Sequence, residues 1–279
     1  MHFRVEDWDD AYANAPNIPN GHEWPDKWVM PAANYRFSLG DNFKESIAYA
    51  DHERAVLDLF LPVGSPKGLV VFVHGGFWVR LDKSYWSHLA AGAVEKGWAV
   101  AMPSYPLCPG VRVRDIAGFV AQSIENCAKN LDGPIVLTGH SAGGHIVTRL
   151  VSEGSKLSKN TLTRVVHVLS ISGVHDLRPL LRTELNQTIG LDEKEVLAES
   201  PVLLKPILDV PVTCWVGANE RSEFVRQNAL LANIWRGLGM QTLAIEEPDR
   251  HHFDVIDGLA DATSPLMRCL LESDLRQVF

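Results

Sequence analysis

The run Gly139-His140-Ser141-Ala142-Gly143-Gly144 sets a serine between glycines two positions before it and two after it. A serine hydroxyl is a weak nucleophile at neutral pH. It becomes competent for acyl transfer when an imidazole takes its proton and a carboxylate orients that imidazole. Upstream, Ile135-Val-Leu-Thr138 is a short apolar run bounded by turn formers. Downstream, Ile146-Val147 and Leu150-Val151 follow helical spacing, so strand, sharp turn and helix are expected in that order. The glycines have a mechanical reason: the turn strains the backbone at Ser141, and its neighbours must approach without side chains. The N-terminus of the helix leaves the Ala142 N–H unpaired, a donor for an anion beside Ser141.

The acid and the histidine are expected on loops after later strands, in the chain order serine, acid, histidine. After the apolar run Val212–Val216 comes Gly217-Ala-Asn-Glu220-Arg-Ser-Glu-Phe224. After Gln241–Ile245 comes Glu246-Glu-Pro-Asp-Arg-His251-His252-Phe253. Glu220 ranks first as the acid because it lies on the short loop leaving the strand. Glu223 and Asp176 read more simply as a helix-start charge and a helix cap, and Asp249 sits beside the histidines. His251 and His252 point different ways from an extended chain, and His252 is favoured as the base. His140 and His145 flank the serine and read as packing or hydrogen-bonding groups.

A third element, His74-Gly75-Gly76-Phe77-Trp78, directly follows the apolar run Leu69–Val73. Two glycines at a strand exit let backbone N–H groups approach a developing oxyanion, so Gly75, Gly76 and Ala142 are the expected donors. His74, Phe77 and Trp78 are expected to line the substrate pocket, Trp78 together with aromatic residues of a cap or arm.

Positioning these groups requires strands that end at one edge. Apolar runs at 55–61, 69–73, 98–102, 134–138, 165–171, 212–216 and 241–245 alternate with helical stretches such as Val113 to Asn130, with Ile116, Phe119, Val120 and Ile124 on one face. That alternation predicts one α/β domain over residues 46–279, built on a mostly parallel sheet with helices on both faces. Short helices over about 174–210 read as a small cap above the carboxyl edge, where ligands bind in open sheets. Residues 1–45, rich in Asn, Pro, Asp and Trp, show no sustained period. They are read as an irregular arm packed on the domain, either a strap or a cover for the pocket mouth.

Composition narrows the function classes. Hydrophobic residues at 46% and charged residues at 22% are the balance of an ordinary globular chain. A formal net charge of −8 gives no electrostatic reason to bind nucleic acid or anionic membranes. No signal-like N-terminus or membrane-spanning run is visible, so a cytoplasmic location is expected. Cys108, Cys127, Cys214 and Cys269 lack any metal or disulfide spacing and read as buried thiols. No histidine-rich ligand cluster is present, so neither a metal nor a cofactor is expected. The expected partner is a small-molecule substrate, with a homodimer left open.

Taken together, His74-Gly-Gly-Phe-Trp78, the Gly139-His-Ser-Ala-Gly-Gly144 turn, Ser172-Gly-Val-His-Asp-Leu-Arg-Pro179, Val216-Gly-Ala-Asn-Glu-Arg-Ser-Glu-Phe-Val-Arg-Gln227 and His252-Phe-Asp-Val-Ile256 resemble the kynurenine formamidase (arylformamidase) branch of the α/β-hydrolases. That branch is related to hormone-sensitive-lipase-like esterases. The resemblance covers roughly residues 50 to 260, and Tyr12-Ala-Asn14 in the arm resembles the family's N-terminal segment. It implies an α/β-hydrolase fold, Ser141 as nucleophile, Glu220 as acid, His252 as base, and an oxyanion hole near Gly75, Gly76 and Ala142. The acid is often Asp in such enzymes and is Glu here. The implied reaction is hydrolysis of an aryl formamide, N-formylkynurenine to kynurenine and formate. A carboxylesterase acting on short acyl esters is the close alternative, and a catalytically silent binding protein on the same fold is the rival from another class.

Overall fold

Every residue of Leu69–Val73, Ala99–Pro103 and Ile135–His140 is buried, the pattern of strands covered on both faces. The computed structural model, which describes residues 4–272, arranges eight strands in one sheet. They are β1 (Phe43–Ala48), β2 (Val56–Phe60), β3 (Leu69–Val73), β4 (Ala99–Pro103), β5 (Ile135–His140), β6 (Val165–Ile171), β7 (Val212–Gly217) and β8 (Thr242–Glu247), in the order β1-β2-β4-β3-β5-β6-β7-β8. β1 pairs antiparallel with β2, and β2 antiparallel with β4. All later pairings are parallel.

The period of two sorts β3 between two cores. Leu69, Val71 and Val73 join one apolar layer with Ile116, Val120, Ile124 and Ile146. Val70 and Phe72 join the other, with Trp28, Trp86, Leu266 and Leu270. The helix Val113–Ala128 presents Ile116, Val120 and Ile124 to the first layer, as the sequence predicts. Parallel register then brings the strand ends into line. Val73 pairs with Gly139, His140 with Ile171, Ile171 with Trp215, and Gly217 with Glu247. The loops after β3, β5, β7 and β8 therefore converge on one edge.

The arm departs from the irregular segment expected. Trp24–Leu39 is a 16-residue helix that contains Pro31, preceded by the short helix Trp8–Tyr12. Pro25 falls in its first turn, where a missing N–H costs nothing. The interior loss at Pro31 is offset by tertiary packing: Trp28 meets Trp86 at 5.2 Å and Phe253 at 5.7 Å between centroids. Tyr12 lies in the first apolar layer and Trp28 in the second. The chain between them crosses the carboxyl edge of the sheet, where Asn14, Pro16, Gly21 and Pro25 line the same cavity as Gly75 and Ser141.

β1 likewise went unread in sequence. Its pairing with β2 shifts register between Lys44 and Ile47, and Ser46 adopts φ 55°, which breaks the period of two. The cap region folds as short helices, Arg178–Arg182, Asn186–Ile189, Glu193–Glu199 and Pro201–Leu203. Among the described residues no helix is long and apolar enough to cross a membrane.

Candidate active site

Ser141 follows the last residue of β5 and precedes the helix Ala142–Leu150. Its backbone has a positive φ of 57° with ψ −117°, a sparsely populated conformation costing about 1–3 kcal/mol for a non-glycine residue. The flanking glycines are required by contact. A Cβ on Gly139 would stand 2.4 Å from the Gly143 carbonyl carbon, and one on Gly143 would stand 1.9 Å from the Val73 carbonyl oxygen. The Ser141 N–H donates to the Ile171 carbonyl at 2.8 Å, tying the turn to β6.

Beside it, a Cβ on Gly75 would lie 3.0 Å from the Ser141 Cβ, so only glycine lets the loop after β3 approach this closely. Gly76, Phe77 and Trp78 then all have positive φ (109°, 51° and 60°). Hydrogen bonds hold this strained turn: Trp78 O accepts from the Cys108 N–H at 2.8 Å, and the Tyr105 hydroxyl donates to His74 O at 2.9 Å.

The turn corrects two of the three expected pocket residues. Phe77 lines the cavity above Ser141, but Trp78 does not. Successive left-handed residues send Trp78 downward, fully buried, edge-on against His145 of the helix at 5.1 Å. His74 is also absent from the lining. Its ring stacks between Tyr105 (4.3 Å) and Trp86 (5.5 Å), and Nδ1 donates to Gly75 O at 2.7 Å. Burial lowers its pKa to about 4, so the ring is neutral near pH 7 and serves as a spacer under the glycine loop.

Glu220 lies beyond β7 with its side chain fully buried. Its Oε2 is 2.6 Å from His252 Nδ1. Oε1 accepts from the Ser172 hydroxyl at 2.5 Å and from the Gly217 N–H at 2.9 Å. A carboxylate that only accepts requires the proton on Nδ1, leaving His252 Nε2 as the lone-pair nitrogen. The His252 ring is flanked by Phe224 at 4.5 Å and His140 at 4.6 Å. Burial, and then repulsion from His252, hold the His140 pKa well below the ordinary value, so it adds no charge beside His252.

The competing acids are engaged elsewhere. Glu223 accepts from the Tyr12 hydroxyl (2.9 Å) and from Gln227 (2.9 Å) and pairs with Arg226. Asp176 pairs with Arg178 at 2.8 Å, and Asp249 occupies a left-handed turn, φ 61°. His251 packs edge-on against Trp24 at 5.0 Å. All four cysteines are buried free thiols, and burial raises the pKa of each, Cys214 to about 12. Among the described residues no group of three or more His, Cys, Asp or Glu side chains could hold a metal ion.

Ser141 and His252 open into one cavity of about 450 Å³. Its walls include Tyr12, Asn14 and Trp28 from the arm and Thr183 and Leu185 from the cap. The arm thus forms the upper wall. Two participants escaped sequence reasoning. Ser172, a left-handed residue at the end of β6 (φ 52°), supports Glu220. Tyr12 supports the arm through Glu223 and Gln227. Both lie in segments that carry the family resemblance, Tyr12-Ala-Asn14 and Ser172-Gly-Val-His, but what each one holds is found only by its contacts.

A family model described as alpha/beta hydrolase family matches residues 70–263. Over 235 residues the chain is 26% identical to a kynurenine formamidase of Danio rerio, a match spanning 81% of this chain and 80% of that protein. The solved structure of a protein from Silicibacter sp. tm1040, provisionally assigned as a thioesterase, superposes with a TM-score of 0.88 at 46% identity, covering 94% of this chain and 98% of that one. Esterase B from Lactobacillus rhamnosis, bound to a tributyrin phosphonate inhibitor, superposes with a TM-score of 0.68 at 17% identity over 92% and 93% of the two chains, a likeness of fold.

Proposed function

The chain belongs to the alpha/beta hydrolase family, and from that premise we propose that it is a serine hydrolase cleaving an aryl formamide, with N-formylkynurenine as the substrate. The observation that carries the chemistry is the Glu220–His252 contact at 2.6 Å, with His252 and Ser141 opening into one cavity. Similarity to kynurenine formamidase supports the formamide. Tyr12, Trp28, Phe77 and Phe253 in the walls support an aryl group.

In this reading His252 Nε2 takes the Ser141 proton as Oγ attacks the formyl carbon. The oxyanion accepts from N–H groups near Gly75, Gly76 and Ala142. Glu220 orients the ring and stabilises the imidazolium. The carbon–nitrogen bond then breaks, and the same imidazole protonates the leaving aryl amine. Water, deprotonated by His252, attacks the formyl-serine and releases formate, returning the proton to Ser141.

A second reading, hydrolysis of short acyl esters or thioesters, is favoured by the provisional thioesterase assignment of the 46% identical structure. Steady-state kinetics on N-formyl-L-kynurenine and on a series of 4-nitrophenyl and thioester acyl substrates separates the two, with Ser141→Ala as control. A kcat/KM for the formamide well above that for the best ester is expected. Ester turnover without formamide turnover moves the protein to the esterases. Activity that survives Ser141→Ala overturns the serine mechanism.

A further inference from the structure

The cavity beside Ser141 is largely apolar and aromatic, and apart from its histidines it holds two side chains with formal charge, Asp9 and Arg80. Asp9 is already engaged, with Oδ1 accepting from the Glu184 N–H at 2.7 Å. Arg80 differs. Its backbone N–H donates to Gly76 O at 3.2 Å, but its guanidinium meets no acid or hydrogen-bond acceptor among the described residues. Lys83, the other cation of the same loop, is neutralised by the buried Asp58 at 2.7 Å. Arg80 is an exposed residue on the wall of that cavity, so its guanidinium is open to solvent and within reach of an anion that enters with the substrate.

Placement makes the anion part of the substrate. Arg80 rises from the loop that carries the proposed oxyanion donors: a Cβ on Gly76 would lie 3.4 Å from Arg80 Cγ. That loop is fixed on both sides of Arg80, by Cys108 N–H to Trp78 O at 2.8 Å and by Arg54 Nη2 to Leu81 O at 2.5 Å. A guanidinium on a rigid base offers two parallel donors to a carboxylate, a geometry a lysine ammonium does not reproduce.

We propose that Arg80 is a specificity residue that docks a carboxylate carried on the leaving-group side of the substrate. This rests on the formamide reading of the cavity. There the acyl part is a single carbon, so any carboxylate belongs to the departing amine. Arg80 touches no reacting atom and sets which amines are accepted.

The test compares matched substrates that differ only in that charge: N-formyl-L-kynurenine against its α-carboxamide, and 4-acetoxyphenylacetate against 4-acetoxyphenylacetamide. The readout is the ratio of kcat/KM for the acid to that for the amide, taken on whichever reaction the wild-type enzyme catalyses. Failure of the formamide reading therefore leaves the ester pair to judge Arg80. Arg80→Gln is expected to lower the ratio about 10- to 100-fold, mainly through KM, the range of one charge-assisted contact. Arg80→Lys recovers part of it. Raising ionic strength lowers the wild-type ratio, a check needing no variant. A ratio unchanged within about twofold in Arg80→Gln, or a wild-type ratio insensitive to salt, overturns the assignment.

Discussion

The turn around Ser141 and the arm around Tyr12 and Trp28 wall the same cavity but are held in place differently. The turn is backbone geometry. Ser141 is fixed by its positive-φ conformation, by the Ser141 N–H to Ile171 O bond and by glycines that admit no Cβ, all within fully buried strands. The arm is held by side chains docking across the sheet, Trp28 against Trp86 and Phe253 on one face and Tyr12 on Glu223 and Gln227 on the other. Chemistry is thus encoded locally and pocket shape by long-range packing. Changes at the turn should alter turnover, and changes in the arm should alter stability and substrate binding.

The sharpest separation is expected from Glu220→Gln. It keeps the shape but removes the charge that orients His252, and kcat should fall about 10³- to 10⁴-fold with KM little changed. A loss under tenfold in steady-state assays would mean that Glu220 is structural. In the arm, Trp28→Ala removes a buried indole from the second core. It should cost about 3–5 kcal/mol in denaturant unfolding, raise KM more than it lowers kcat, and speed proteolysis between residues 13 and 27. A kcat loss without a stability loss would break the contrast between the two regions.

Proton linkage separates the two regions as well, because His74, His140 and His145, close to the Ser141 turn, are held neutral by burial. The His74 pKa is lowered to about 4 by burial, against about 6.5 in an unfolded chain. Between those values the unfolded state binds the extra proton, so stability falls as pH drops from about 6.5 to about 4. His74 contributes on the order of 3 kcal/mol to that loss. Denaturation at pH 7.5 and 4.5 should show the gap between wild type and His74→Gln narrowing as pH falls; a constant gap contradicts it. Smallest is Tyr12→Phe, which strips one donor from the buried Glu223 and one acceptor from Gln227. It should cost about 1–3 kcal/mol in thermal or chemical unfolding, and leave kcat within a few-fold.

The two regions also differed in how legible they were. Ser141, Glu220 and His252 stand out because parallel strands deliver their exit loops to one edge in chain order, so spacing along the chain carries spatial information. The turn after β3 was readable as a close backbone approach at Gly75, but not as a switch in side-chain direction, and Trp78 therefore lies in the core instead of the cavity. In the arm, Trp24, Trp28, Tyr35 and Leu39 fall on one helical face. Pro25 and Pro31 hid that period, since a helix interrupted by proline is stable only against the core it packs on. Ser172 lay within a segment that carried the family resemblance, but its bond to Glu220, 48 positions away, was not legible, and nothing in the sequence marked Arg80.

The proposed nucleophile, Ser141, is tested by covalent labelling with diethyl 4-nitrophenyl phosphate followed by peptide mass spectrometry. The expected result is one equivalent of 4-nitrophenol released per chain, the diethyl phosphoryl group on Ser141, loss of hydrolytic activity in step with labelling, and much slower labelling of Glu220→Gln. Labelling at another residue, or full activity in a chain phosphorylated on Ser141, would contradict it.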